Sequence, residues 1–294
     1  MKKMVMVAII ISVANKTYSQ VDKDLFSFNY TLMPIGNDGV DFYKTDFNAN
    51  IPIKLKSGSL TNNVGLDYYQ MNYNNAYSFS TEGLTKFYSI NYGLSYTYPW
   101  SDKWSINSQL QASIVSSLAN TVDFDDLFLS GELSVTKKTK EKDKFASLTF
   151  GVNYSAITGK PRILPTISYT KSVNDKFSYG IGFPKAYAEY QINDINSLNA
   201  FLLADGFYAN LNNPIFVNTT NEARKASFSS TSLGVEYNYT MDDFWIISFK
   251  TGYSLYNDHT LINSGGTEVF DFDTHAKPFF STGIKFNLKS KHKK

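Results

Sequence analysis

Cysteine is absent from this 294-residue chain. That excludes a disulfide framework, a thiolate nucleophile, a cysteine metal site and a lipoprotein anchor. The absence also suits an oxidising compartment, where free thiols mispair. Charge is sparse, at 18% of residues, against about 25% in an ordinary soluble domain. Long apolar runs are missing: nothing approaches the ~18 residues that a spanning helix needs. Helical periodicity, linkers, low-complexity blocks and repeats of fixed length are missing too, which excludes a solenoid or propeller.

Groups that carry chemistry are equally scarce. The histidines are His259, His275 and His292. The first two fall in one long connection and the third in a basic tail, so none lies on an expected strand. No G-x-S-x-G occurs, and a Ser–His hydrolase at the lipid edge therefore has no candidate residues. Zinc held by His259 with Asp258, or by His275 with Asp271 or Asp273, would match no metal spacing. Acidic clusters at Asp123–Asp126 and Asp271–Asp273 lack the calcium-loop pattern and read as solvated loop charge. The expectation is a protein that is not an enzyme and uses no metal or cofactor.

What fills the chain instead is aromatic and small polar. Aromatics reach 16%, with 21 Tyr and 23 Phe. With Asn, Ser and Thr they favour strands over helices. Mean hydropathy is −0.26, which hides a barrel well, because outward apolar and inward polar residues cancel in any averaging window.

The N-terminus reads as a secretory signal peptide, residues 1–20. Lys2 and Lys3 form its basic start, Met4–Val13 its apolar run, and cleavage is expected after Ser19 or Gln20. Removal would take Lys2, Lys3 and Lys16 from 28 basic residues and nothing from 26 acidic ones, leaving a near-neutral chain. The pI of 8.4 is then no sign of nucleic-acid binding.

The remainder, 21–294, alternates with period two. Tyr88, Ile90, Tyr92, Leu94, Tyr96 and Tyr98 share one face; Ser89, Asn91, Gly93, Ser95 and Thr97 share the other. Trp104, Ile106, Leu110, Ala112 and Ile114 repeat the pattern, as do Leu148, Phe150, Val152 and Tyr154, then Trp245, Ile247 and Phe249, then Phe280, Ile284 and Phe286. Strands are expected at 24–33, 42–55, 60–73, 85–98, 103–116, 127–138, 144–157, 162–173, 176–183, 185–193, 197–211, 225–240, 243–257 and 277–288. Short polar turns alternate with longer connections at 34–41, 74–84, 117–126, 158–161, 212–224 and 258–276. That is the loop asymmetry of an outer-membrane barrel with both termini periplasmic. The fold class is all-β, a transmembrane antiparallel up-and-down β-barrel of about 14 strands. The weak point is Gly182–Ala186, where a kink in place of a hairpin would give 12. Tyr96, Tyr98, Trp100, Trp104, Phe177, Phe244 and Trp245 gather beside the short turns, as an interfacial girdle does.

The alternating strands, the ending Thr282–Leu288, and the stretches Lys160–Pro165 and Tyr179–Ala186 resemble an uncharacterised family of Gram-negative outer-membrane β-barrels, a domain of unknown function. The resemblance spans nearly the whole mature chain. It implies export, residence in the cell outer membrane, contact with outer-membrane lipid and lipopolysaccharide, and insertion by the barrel-assembly machinery. It carries over no catalytic or ligand residue. Lys289–Lys294 follow where such barrels commonly end on an aromatic.

Six charges fall on the polar strand faces: Asp67, Glu132, Glu189, Glu236, Lys250 and Lys285. Facing lipid, Lys or Arg would cost about 2–4 kcal/mol at the midplane, so all six are expected to line the lumen. They either border a narrow polar pore or pair across it, with mixed signs favouring pairing. Inward glycines (Gly93, Gly151, Gly180, Gly252, Gly283) are expected to leave room for water or a small solute. The leading expectation is a monomeric passive pore or small-solute channel. Its alternative is a non-transporting structural or surface-binding barrel that works through loops 212–224 and 258–276. A soluble β-sandwich is a third.

Overall fold

The computed structural model describes residues 24–34, 39–141 and 144–287. The expected signal peptide and the basic tail lie outside these residues. Fifteen strands are formed: β1 (Asp24–Met33), β2 (Val40–Leu55), β3 (Gly58–Tyr73), β4 (Lys86–Pro99), β5 (Trp104–Ser116), β6 (Leu127–Glu141), β7 (Lys144–Ser155), β8 (Arg162–Ser172), β9 (Phe177–Phe183), β10 (Lys185–Asn193), β11 (Asn196–Phe216), β12 (Glu222–Thr240), β13 (Trp245–Ile262), the short β14 (Glu268–Asp271) and β15 (Lys277–Asn287).

Neighbours from β1 to β13 pair antiparallel in chain order. β15 pairs with both β13 and β1 and closes the ring, while β14 only adds to the upper end of β13. The wall therefore has 14 strands. Closure leaves no open edge, which is what a sheet must achieve in hydrocarbon, where unpaired backbone groups find no water.

The outer face is apolar all the way round. Phe28, Leu66, Ile90, Leu110, Leu129, Phe150, Ile181, Leu233 and Phe249 all point outward and are exposed. On β4 and β5 the pairs Ile90–Ile114, Tyr92–Ala112 and Leu94–Leu110 stack along this face. A continuous belt of this kind would aggregate in water; in a membrane it meets lipid. The protein is an outer-membrane β-barrel.

Three short turns share one construction. Asn174 Oδ1 accepts from the Lys176 and Phe177 amides, Asn193 Oδ1 from those of Ile195 and Asn196, and Asp242 Oδ1 from those of Phe244 and Trp245. Such side-chain mimics of a backbone turn are why Asn and Asp punctuate strands. The two amide bonds hold the Asp242 carboxyl below its ordinary range. Trp100, Trp104, Tyr98, Phe244 and Trp245 are exposed at this end, where the girdle was expected.

At the opposite end Gly182–Ala186 is the hairpin that 14 strands require and not the kink of the 12-strand alternative: β9 and β10 are joined by Pro184 alone. The sequence reading is corrected at two loops. Loops 212–224 and 258–276 are in part strand, because β11 runs on to Phe216, β12 begins at Glu222, β13 continues to Ile262 and β14 adds Glu268–Asp271. The extension persists because it is packed: Ala209, Leu211, Val217, Ala223, Ala226 and Leu261 are buried within it.

Candidate functional site: the occluded lumen

All six expected inner charges lie on the inner face: the strand neighbours Leu66, Leu133, Tyr190, Val235 and Phe249 of five are exposed outside, and Lys285 reaches the inward Glu236. Four are brought into ion pairs. Glu236, on β12, is the hub of one set. Its Oε1 takes Lys285 Nζ at 2.5 Å and Lys250 Nζ at 3.7 Å, and its Oε2 accepts from Asn199 at 3.3 Å. Lys285 also donates to Asn238, and Lys250 to Asn29, which in turn donates to Asp46. The second set centres on Lys44, which is 3.8 Å from Asp67 and 3.0 Å from Asp205. Because Lys44 is on β2 and Asp205 on β11, this pair crosses the lumen. Glu132 and Glu189 face Gln109 and Asn199 in register and make no ion pair among the described residues.

Gly252, expected to leave room, does not hold open space. Phe201, Gly234, Gly252 and Phe279 stand in one register row across β11, β12, β13 and β15. The two phenyl rings fold over the two glycines; a Cβ on Gly234 would sit 2.8 Å from each ring. Ring thickness, not solvent, explains these glycines.

Above the ion pairs the lumen fills with aromatic side chains. Phe42 stacks on Phe228 at 4.6 Å, and Phe207 lies 4.6 Å from Tyr69, 5.3 Å from Phe87 and 5.9 Å from Phe228. β4 and β11 are diametrically opposite, seven pairings apart in either direction. A circular barrel of this strand number, at ~4.8 Å spacing and ~40° tilt, has a backbone diameter of about 28 Å. Side chains of Phe87 and Phe207 cannot meet across that span, so one wall must turn inward.

β11, β12 and β13 supply the turn. A bulge at Thr231/Ser232 shifts the β12–β13 register, and bulges re-aim strands. Beyond it the three strands lean over the mouth until Asn210 pairs with Ser116 of β5 in parallel, and the Ser117 amide donates to the Asn210 carbonyl at 3.1 Å. Asp126, expected as a solvated loop charge, is buried beneath this contact. It accepts from Asn210 Nδ2 at 2.8 Å and Asn212 Nδ2 at 3.0 Å. Burial would raise its carboxyl, but these hydrogen bonds outweigh it and hold the group below the ordinary range. The other face of the extension is covered by the β7–β8 connection, where Ser227 Oγ donates to the Gly159 carbonyl at 2.6 Å.

His259 was expected in a surface loop. It lies on β13, wholly buried. Its Nδ1 is 2.9 Å from the Ser227 carbonyl and its Nε2 is 2.7 Å from Tyr73 Oη, while its ring stacks on Phe272 at 4.5 Å. A carbonyl only accepts, so Nδ1 carries the proton and Nε2 accepts from the Tyr73 hydroxyl. This level is above the lipid belt: outward residues turn polar at Gln70 on β3, Ser229 on β12 and Asp258 on β13. Burial among rings holds the imidazole down at about 4.

The residues that sequence reasoning missed are Lys44, Asp205, Tyr73, Phe207, Phe228 and, as a buried group, His259. Residues 37–287 match a family model described as Domain of unknown function (DUF6268). The chain belongs to that family. No curated protein matches this DUF6268 chain. Among solved structures it is similar to "KdgM porin" at 10% identity and a TM-score of 0.35, covering 90% of this chain and 99% of that one. It is similar to "LpxR from Salmonella typhimurium" at 7% identity and a TM-score of 0.42, covering 89% and 99%. A third is the "Translocator domain of autotransporter NalP from Neisseria meningitidis", at 10% identity and a TM-score of 0.34, covering 97% and 96%. At these scores the likeness carries no argument about the lumen or the mouth of the DUF6268 barrel.

Proposed function

We propose that the protein is a non-transporting barrel of the envelope at neutral pH, its mouth sealed by the β11–β13 extension. The observation that carries this reading is the contact of opposite walls, Phe207 on Phe87 and Asn210 on Ser116. A freely conducting pore has no use for an aromatic stopper whose members are almost wholly buried. In this reading Asp67, Glu236, Lys250 and Lys285 brace the walls. Glu132 and Glu189 line what remains of a polar chamber below. Half-buried carboxylates without an ion-pair partner, as Glu132 and Glu189 are among the described residues, stay charged where water reaches them, and the Asp205 side chain is 43% exposed. Both observations favour a wet chamber beneath the stopper, and so a second reading in which the barrel passes small polar solute when the mouth opens. Export by a signal peptide at residues 1–20, insertion by the barrel-assembly machinery, and contact of the upper rim with lipopolysaccharide complete the proposal.

Planar-bilayer recording at pH 7.5 tests it, on protein whose heat-modifiable gel migration shows a folded barrel. The wild type is expected to be silent. Deletion of residues 209–223 is expected to give a steady current. A steady ohmic current from the wild type would overturn the sealed-barrel reading.

A further inference from the structure

The buried His259 gives the seal a chemistry that its apolar neighbours lack. Resting on the sealed-mouth reading, we propose that the β11–β13 extension is a proton-operated gate, held shut by neutral His259 against Tyr73, and that acid opens the barrel to small polar solutes.

Geometry supplies the reasons. His259 sits where the gate meets the fixed wall: its own strand is part of the moving extension, while Tyr73 ends β3 on the wall side. The Tyr73–His259 hydrogen bond is therefore a latch between the two. Its polarity is fixed, because Ser227 can only accept from Nδ1, which leaves Nε2 as the acceptor for the Tyr73 hydroxyl. Protonation turns Nε2 into a donor aimed at that hydroxyl. It also places a charge among Phe228, Phe272 and Tyr73, where water is excluded. Tyr73 can then donate to the Leu84 carbonyl, at a longer 3.3 Å, or to the weakly accepting Met71 sulfur at 3.5 Å. The charged and titratable groups around the ring are few. Tyr73 reaches it from β3, Asp271 from β14 and Lys277 from β15; Asp258 is on its own strand, and Tyr77, in the β3–β4 connection, packs on Phe272. Asp271 favours the imidazolium and Lys277 opposes it. Lys277 is itself tied to the Val40 carbonyl at 2.6 Å. Among the described residues no carboxylate hydrogen-bonds the imidazole, so burial dominates.

In the opened state His259 is solvated with an ordinary value near 6.5; shut, it is held at about 4. Closure is fully favoured above pH 6.5 and weakens as pH falls towards 4. For that pair of values the open-to-closed ratio rises about 30-fold between pH 7.5 and 5.

Because the chain has no native cysteine, opening can be read by thiol labelling. Ala226→Cys places a thiol on the buried face of the gate, and Thr219→Cys serves as an exposed control on the same extension. The labelling rate of the first divided by that of the second, measured with a small methanethiosulfonate reagent at each pH, cancels the intrinsic thiol chemistry. The ratio is expected to rise about 30-fold from pH 7.5 to pH 5, with brief conductance events appearing over the same range. His259→Phe and His259→Gln, two neutral replacements of which either suffices if the other fails to assemble, are expected to flatten the rise. A ratio that is flat in the wild-type background, or that rises equally in both His259 variants, overturns the gate. Labelling that rises without conductance overturns the passage of solute. A steady current already present at pH 7.5 would instead sink the sealed-mouth reading.

Discussion

Phe207→Ala removes the ring on which the stopper is built, and its effect can be worked from the contacts. Phe207 is 4% exposed and touches Tyr69, Phe87 and Phe228. Truncating a packed phenylalanine costs about 3–5 kcal/mol through lost transfer and the cavity left behind. Two of its three partners, Tyr69 and Phe87, belong to the opposite wall, so most of this loss falls on the closed state. The barrel wall keeps all its backbone pairs. If 3–4 kcal/mol is lost from closure alone, the open-to-closed ratio rises by about 100- to 1,000-fold. Single-channel recording at pH 7.5 should then show frequent openings where the wild type shows none, and labelling of Ala226→Cys should quicken by a similar factor. Phe280→Ala is the control: it deletes a ring of the same size from the lipid-facing side of β15, where Phe280 is half exposed, and should leave both readouts unchanged. Were Phe207→Ala as silent and as slowly labelled as the wild type, the stopper would not be the element that closes the mouth. The same would follow if Phe280→Ala opened the barrel equally.

Two further substitutions test the braces and the wall. Glu236→Gln leaves the half-buried Lys285 and Lys250 without their anion and should lower stability by about 1–3 kcal/mol, read as an earlier midpoint in denaturant unfolding from lipid vesicles; Glu189→Gln, which breaks no ion pair, should stay within about 0.5 kcal/mol. Leu110→Arg puts a charge on the most exposed lipid-facing residue midway along β5 and should cost about 2–4 kcal/mol, seen as a reduced folded fraction on vesicles at fixed denaturant.

The wall was legible in the sequence because one physical rule writes it. Hydrocarbon demands an apolar residue at every second position, and a one-residue slip would turn Asn91 and Gly93 outward in place of Tyr92. Alternation, with turn residues such as Asn174, Asn193 and Asp242, therefore set the strands to within a few residues. The cap was not legible because the rule fails there. Around Phe42–Phe47 and Leu202–Phe207, apolar residues occupy both faces, so the inward Lys44 and Asp205 lack the clean background against which Glu236 stood out. The same two-sidedness is the signal that could have found the stopper. An inward Phe42, Tyr69, Phe87, Phe201 or Phe228 is wasted in a wet pore and explicable only as packing. Gly252 misled for a related reason: a glycine marks a close approach, and sequence does not say whether water or a ring from a distant strand makes it.

Wall and stopper are held by different solvents, and that makes an opening mouth compatible with a stable barrel. The wall is closed by backbone pairing and by lipid on its outer face, neither of which involves the Phe207 or His259 side chain. The stopper is sealed by the ordinary hydrophobic effect, because it lies above the belt, where the outer face has turned polar and water is the competitor. Each can therefore be weakened without the other. Phe207 and Leu110 share no contact partner, and substitutions that act through separate contacts add to within about 0.5 kcal/mol. Phe207→Ala combined with Leu110→Arg should show the conductance of the first and the vesicle-folding deficit of the second, with no coupling between them. A coupling above about 1 kcal/mol in the folding measurement would mean that the stopper is part of what holds the wall closed. The mouth would then be unable to open without loss of the barrel, and the proton gate would fail with it.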